Sequence, residues 1–376
     1  MAIDLTKVPK LGFGLMRLPE KDGQICMDEV CRMVDTYLAA GMNYFDTAYV
    51  YHGGRSEKAV KEVLVGRHPR ESFTLATKLP SWEMTCAEDA DRIFNEQLER
   101  TGAGYFDFYL LHSIEEGSID RFEKFDCFNW GLKKKEEGKI KHFGFSFHGS
   151  PELLEKVLDD HPELEFVQIQ LNYLDWDNPV VRSGRLYTIL AARGIPMIIM
   201  EPCKGGTLAS LKPEFEQKYK ALRPDSTVAS WAFRFVGSLP GIMTILSGMT
   251  HEDQLQDNIK TFTDFEPLTA EEKKAVAEVT AAVLDIEQIG CTSCRYCCDG
   301  CPMQISIPDV FRAVNTIRLY GDDFRPRAFY RGLISNSGKA GDCIACGQCE
   351  SVCPQHLPII ELMAQASQLL DKTPEK

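Results

Sequence analysis

No apolar run in the 376-residue chain approaches a bilayer span: stretches such as 195–200 (IPMIIM) end after six residues, against roughly twenty needed to cross. The opening MAIDLTKVPK sets Asp4 among lysines and lacks the apolar segment of a secretion signal. Both absences lead to the expectation of a cytoplasmic protein with no membrane partner. A basic excess is lacking too, with 42 Lys+Arg against 55 Asp+Glu and a net charge of -13. Binding nucleic-acid phosphates requires a net basic face, so no nucleic-acid partner is expected. The acidity is uneven: residues 286–376 hold 9 basic and 10 acidic side chains, leaving 33 against 45 in the first 285. The glycine fingerprint of a doubly wound dinucleotide fold is also incomplete. LGFGLMR (11–17) supplies Gly12 and Gly14 but no third glycine and no helix start.

What is present is an alternation. Short β-rich runs at 42–48, 72–78, 106–112, 140–146, 166–172, 196–201 and 243–248 are apolar enough to be buried on both faces. Between them lie stretches such as 27–41 and 87–102, with apolar residues three and four apart and glycine near the end. Strand and helix alternate for about 250 residues, the size of a (β/α)8 TIM barrel. The expected fold is therefore an α/β barrel over residues 1–285, followed by a small iron–sulfur domain over 286–376.

Among the polar residues of these runs, Asp46, Lys78 and His112 each stand at or near the C-terminal end of a run. That end is the catalytic face of such a barrel. Tyr51 follows Asp46 by five residues in FDTAYVYHGG (45–54), on the loop above. A tyrosine is a poor acid near neutrality unless a cation stabilises its phenolate. Lys78 can supply that charge, Asp46 can hold the lysine, and His112 can donate to a carbonyl oxygen. In order and spacing, these residues resemble the Asp-Tyr-Lys-His tetrad of the aldo/keto reductase superfamily, a likeness that extends over roughly residues 8–262. The resemblance implies Tyr51 as general acid, Lys78 as the partner that lowers its pKa, Asp46 as the lysine's counter-ion and His112 as the group orienting the carbonyl. The implied substrate is a small carbonyl compound, and the implied cofactor is NAD(P)H.

The same resemblance assigns nucleotide contacts. Ser146 and Gln168 would hold the nicotinamide carboxamide, although Phe147 and His148 stand where many members have asparagine. Met200 takes the place of the aromatic that stacks on the nicotinamide ring, and its thioether covers a ring less specifically. Gly205 and Gly206 would let backbone amides approach a pyrophosphate, while Asp257 and Asn258 occupy the adenosine stretch. Gly248 and Gln254 replace the basic clamps on the 2′-phosphate, so NADH is expected at least as readily as NADPH. Trp82, Phe147 and Trp176 are candidate pocket walls.

Nine of fourteen cysteines crowd between Cys291 and Cys353, which in a cytosolic chain indicates metal rather than disulfides. Cys291, Cys294, Cys297 and Cys301 precede Pro302, and Cys343, Cys346, Cys349 and Cys353 precede Pro354. Both sets read C-x2-C-x2-C-x3-C-P, the bacterial ferredoxin signature, in which the fourth cysteine usually reaches the other cluster. Two 4Fe-4S clusters are expected, one on Cys291, Cys294, Cys297 and Cys353, the other on Cys343, Cys346, Cys349 and Cys301. A zinc site would use two separated pairs and has no need of three cysteines at i, i+3, i+6. Between the motifs, a partly helical insertion around 309–321 carries Arg312, Arg318, Arg325, Arg327 and Arg331. These arginines either dock an acidic electron carrier, a ferredoxin or flavodoxin, or balance the clusters' charge.

Two functions suit this pattern. One is an oxidoreductase in which the barrel handles a carbonyl and the clusters carry electrons, with room for a flavin to bridge hydride and single-electron steps. The other is a ferredoxin-like electron-transfer module on a non-catalytic, nucleotide-sensing barrel.

Overall fold

Eight parallel strands close into a barrel in the computed structural model, which describes residues 3, 8–178, 181–263, 265–286, 288–291, 295–322, 324–353 and 356–372. The first barrel strand is β1 (Leu11–Gly14), followed by a small hairpin of β2 (Glu20–Lys21) and β3 (Gln24–Ile25). Asp22 and Gly23 at its tip both have positive φ, the left-handed pair that a two-residue type I′ turn requires. The barrel continues through β4 (Tyr44–Asp46), β5 (Thr74–Pro80), β6 (Phe106–Ile114), β7 (Ile140–Phe147), β8 (Val167–Gln170), β9 (Met197–Met200) and β10 (Ile242–Gly248), which pairs back to β1. Helices separate consecutive strands, as in Asp89–Thr101 between β5 and β6, closed by left-handed Gly102. Pro151–Asp160, between β7 and β8, is opened by Ser150, whose side chain accepts from Leu153 N–H. The (β/α)8 fold expected from the sequence is the fold observed.

Each of the seven runs read from the sequence overlaps a strand. The eighth strand, β1, is the segment whose glycines were weighed as a nucleotide fingerprint. Its glycines serve closure instead: a Cβ on Gly12 would stand 2.7 Å from Leu246 Cδ2 and 3.2 Å from the Tyr44 ring. Side chains alternate between two cores. Tyr44, Ala76, Phe108, Leu110, Phe166 and Ile198 fill the interior. Phe45, Leu75, Tyr109, Phe145, Ile169 and Ile245 face the helices. Burial on both faces is why the strands read as continuous apolar runs.

One polar network sits in the outer core, behind β5. Glu57, fully buried, accepts from Thr77 Oγ1 at 2.8 Å and Gln97 Nε2 at 2.9 Å. Gln97 also reaches the Lys78 carbonyl at 3.0 Å and accepts from Tyr109 OH at 2.7 Å. Removing the amide strands the buried Tyr109 phenol and takes one donor each from the Glu57 carboxylate and the Lys78 carbonyl. Gln97→Ala is expected to lower stability by about 2–4 kcal/mol in urea unfolding followed by far-UV circular dichroism. A loss below about 0.5 kcal/mol, the scale of an ordinary surface change, would show the network to be dispensable.

The chain divides into two compact units, residues 1–209 with 222–276 and residues 210–221 with 277–376. The second unit has its own core, built by Ile305, Val310, Phe311, Val314, Tyr330 and Met363. Its helices include Ile307–Tyr320 and Phe324–Ile334, which form the helical insertion, and the closing Ile359–Leu370. Tyr330 OH donates to Asp371 Oδ1 at 2.6 Å, and Gly341 N–H donates to Asp371 Oδ2 at 2.8 Å, fastening the last helix to the loop before Cys343. Among the described residues, no helix is long and apolar enough to cross a membrane.

Candidate active site and cysteine motifs

Strand register brings the tetrad candidates together. Asp46 pairs with Ala76 and Lys78 with Leu110, so Asp46, Lys78 and, two residues beyond Leu110, His112 share the inward parity. Lys78 is fully buried and is the hub: Nζ donates to Asp46 Oδ1 at 2.7 Å and to the Thr47 carbonyl at 2.8 Å, with Tyr51 OH at 3.4 Å. Tyr51 and His112 meet edge to face, with ring centroids 6.1 Å apart. Sequence order placed Asp46, Lys78 and His112 on successive strand ends and Tyr51 on the loop above; the closed barrel makes them one cluster.

Burial and charge set their protonation. Desolvation pulls Lys78 down, but the Asp46 charge and Tyr51 outweigh it, and the lysine titrates above its ordinary value. Burial pushes Tyr51 up, and Lys78 only partly offsets it. The net direction is therefore opposite to the lowering expected from the lysine by itself, because desolvation of the half-buried phenol outweighs the lysine's charge. Burial, then Lys78 and His148, drive His112 well below the usual imidazole value, which leaves a neutral ring. A neutral ring donates from one nitrogen only. His112 Nδ1 is buried without a partner, as is Asp46 Oδ2.

Ser146 and Gln168 pair across β7 and β8 at the same mouth. Ser146 Oγ accepts from Ser113 N–H at 2.8 Å, which frees its hydroxyl proton for another acceptor. Gln168 Nε2 lies 3.4 Å from Met200 Sδ, while its Oε1 is buried and unpartnered. One donor and one orphan acceptor side by side suit a primary carboxamide, and Met200 stands beside them. Gly205 and Gly206 both have positive φ in the turn after β9, but the Gly206 N–H donates to the Cys203 carbonyl at 2.9 Å and serves the turn. Asp257 and Asn258 lie on the helix Glu252–Thr263. Asp257 accepts from Thr227 Oγ1 at 2.6 Å, and buried Asn258 donates to Ser247 Oγ at 2.9 Å.

Of the three candidate pocket walls, Trp82 stands beside the tetrad: it is 45% exposed, with its ring 5.0 Å from that of His112. Phe147 follows inward-facing Ser146, so the two-residue period turns it into the outer core. Trp176 packs on Tyr187 and Phe235. The sequence reading passed over Arg17 and Glu201, which face each other at this mouth. Their signal was position alone, one just after β1 and the other just after β9.

In the second unit, Cys301 of the first motif lines one cavity together with Cys343, Cys346 and Cys349 of the second. The two motifs repeat a local shape. Arg295 (φ 66) precedes the turn Tyr296–Asp299 that carries Cys297, and Gly347 (φ 79) precedes Gln348–Ser351 that carries Cys349. Cys291, Cys297 and Cys353 belong to the same core, and Cys294 and Pro354 lie outside the described residues. The insertion's arginines are largely occupied. Arg327 grips Asp322 with two nitrogens and caps the Leu369 and Lys372 carbonyls. Arg312 pairs with Asp309 over the Phe329 ring. Arg318 reaches Gln365 at 3.4 Å, and the Arg325 side chain lies outside the described residues. Arg327 thus ties parts of the unit together.

A parallel eight-stranded barrel with buried Lys78 and Asp46 and half-buried Tyr51 and His112 at its carboxyl mouth, continued by a paired cysteine-motif unit, defines a two-part oxidoreductase. The chain belongs to the aldo/keto reductase family, whose sequence model matches residues 10–281, and residues 290–357 match the 4Fe-4S dicluster domain. It is 26% identical over 301 residues to the L-galactose dehydrogenase of Arabidopsis thaliana, covering 75% of this chain and 93% of that protein. The aldo-keto reductase AKR11C1 of Bacillus halodurans, holo form, matches in structure with a TM-score of 0.58 at 24% identity, over 72% of this chain and 92% of that one. An aldo/keto reductase from Klebsiella pneumoniae in complex with NADP and acetate gives 0.60 at 20% identity, over 73% and 92%.

Proposed function

We propose that the barrel reduces a carbonyl substrate, or oxidises the corresponding alcohol, with a nicotinamide nucleotide, and that the second unit holds two 4Fe-4S clusters exchanging electrons with a partner. The observation that carries this reading is buried Lys78 joining Asp46 and Tyr51 at the barrel mouth. Tyr51 would give its proton to the carbonyl oxygen as negative charge develops there, and Lys78 would stabilise the phenolate left behind. Asp46 keeps the ammonium in place, and neutral His112 orients the same oxygen. Ser146 as donor and Gln168 as acceptor would hold the carboxamide, with Met200 covering the ring. When bound, the nicotinamide supplies a hydride and the clusters supply single electrons. Coupling the two calls for a carrier that takes two electrons together and releases them one at a time, which is flavin chemistry. Cys301, Cys343, Cys346 and Cys349 would hold one cluster, and Cys291, Cys294, Cys297 and Cys353 the other.

Anaerobic titration with NADH and NADPH, following cluster bleaching and the EPR signal with bound flavin assayed alongside, tests the coupling. Bleaching by a nucleotide supports one redox path through both units. Reduction by dithionite alone would separate the clusters from the barrel.

The proton inventory also sets a pH dependence. The acid form of Tyr51 is the reactive one for reduction, and its raised pKa keeps that form present through neutrality. The reduction rate is expected to show no limb near the usual histidine value of about 6.5, because His112 stays neutral there, and to fall only above about 10 as Tyr51 ionises. A limb near neutrality in the steady-state pH profile would contradict this assignment.

A further inference from the structure

Arg17 brings a cation to the mouth from an unexpected direction. It follows β1, and its stem lies on the carboxyl end of β10, where a Cβ on Gly248 would stand 3.1 Å from Arg17 Cδ. Its guanidinium extends to the turn after β9: Nη2 is 4.0 Å from Glu201 Oε1 and 3.6 Å from the place a Cβ would take on Gly205. Thr250 Oγ1 donates to the Arg17 carbonyl at 3.0 Å and fixes the backbone there. Arg17 therefore spans the loops after the seventh and eighth barrel strands, where this architecture places phosphate groups.

The pair it makes is loose. At 4.0 Å the contact exceeds hydrogen-bond length, and the side chains are 49% and 33% exposed, conditions under which an ion pair contributes little. Glu201 has φ 56, a left-handed conformation unusual for a residue with a side chain, and strain of this kind gathers at ligand sites. Asn172 Nδ2 and Lys204 N–H both hold its carbonyl, at 3.1 Å and 3.0 Å. The neighbouring Lys204 side chain is committed to Asp175.

We propose that Arg17 is the barrel's receptor for the phosphate ester of a redox nucleotide, and that Glu201 is a built-in competitor that the phosphate displaces. This deepens the nucleotide-dependent reading above and rests on it. The phosphate is either the diphosphate of NAD(P)H or the 5′-phosphate of FMN. Gly248, which lacks the basic side chain expected of that position, is then the seat that admits an arginine from the opposite side.

The test measures binding of NADH, NADPH, ADP-ribose and FMN to the anaerobically purified full chain by calorimetry, for the native protein, Arg17→Met, Arg17→Lys and Glu201→Gln. Arg17→Met is expected to weaken the phosphate-bearing ligand by about ten- to a hundredfold. Arg17→Lys should recover part of the loss, and Glu201→Gln should tighten binding by up to about fivefold. A loss shared by NADH, NADPH and ADP-ribose identifies the diphosphate, and a loss confined to FMN identifies the flavin phosphate. Native binding that Arg17→Met leaves unchanged, or Glu201→Gln weakens, overturns the assignment alone. No binding of any of the four to the native chain overturns the nucleotide reading with it.

Discussion

Tyr51→Phe is expected to lower kcat/KM for carbonyl reduction by about 10²–10⁴-fold while nucleotide affinity holds. The substitution removes one hydroxyl 3.4 Å from Lys78 Nζ and leaves the ring against His112. Lys78 cannot replace it as the proton donor, because Asp46 and the Thr47 carbonyl occupy its ammonium and its pKa is raised. His112 cannot replace it as an acid either, since its ring is already neutral and giving up the remaining N–H proton would leave an imidazolate. The proton then has to come from water. Lys78→Met should be equally damaging to turnover and should also lower stability, because it leaves the Asp46 carboxylate buried without a counter-ion. Stopped-flow and steady-state assays on the two variants separate these effects. Full turnover in Tyr51→Phe, with folding unchanged, would remove the tyrosine from the chemistry and favour a sensing barrel.

The second large effect concerns iron. The native chain, purified anaerobically, is expected to contain about eight iron atoms and each single-cluster variant about four, two cubanes against one. Cys349→Ser and Cys301→Ser should lose the same cluster, although Cys301 belongs to the other motif in sequence. The reason is the shared cavity, in which Cys301 joins Cys343, Cys346 and Cys349. Cys291→Ser should lose the other one. Iron analysis with EPR of the dithionite-reduced variants reads this directly. If Cys301→Ser instead matched Cys291→Ser, each motif would hold its own cluster and the crossed assignment would fall. Either loss should also lower the melting temperature of the second unit, whose core is small and draws on its cysteines for packing.

The sequence by itself determined the elements and their chemistry. Strands buried on both faces are largely apolar, so Asp46, Lys78 and His112 stood out as polar residues at or near the ends of runs, and the repeated cysteine spacing carried its cluster geometry within a short loop. These signals are local, and they survive without knowledge of neighbours. β1 was missed because its evidence lies in contacts 234 residues apart, Gly12 against Leu246, which spacing along the chain does not record. Phe147 was misplaced because one residue of register decides between the mouth and the outer core. The tertiary structure alone decided which side chains are already engaged: the Arg327 fork on Asp322, the Asn258 amide on Ser247, and the Tyr51 phenol pushed up by burial more than Lys78 brings it down. It alone set Arg17 over Gly248 and opposite Glu201, and Cys301 among the cysteines of the second motif. Residue type and spacing fix what a group can do, whereas desolvation, distance and competing partners depend on chain segments that meet only when the barrel closes.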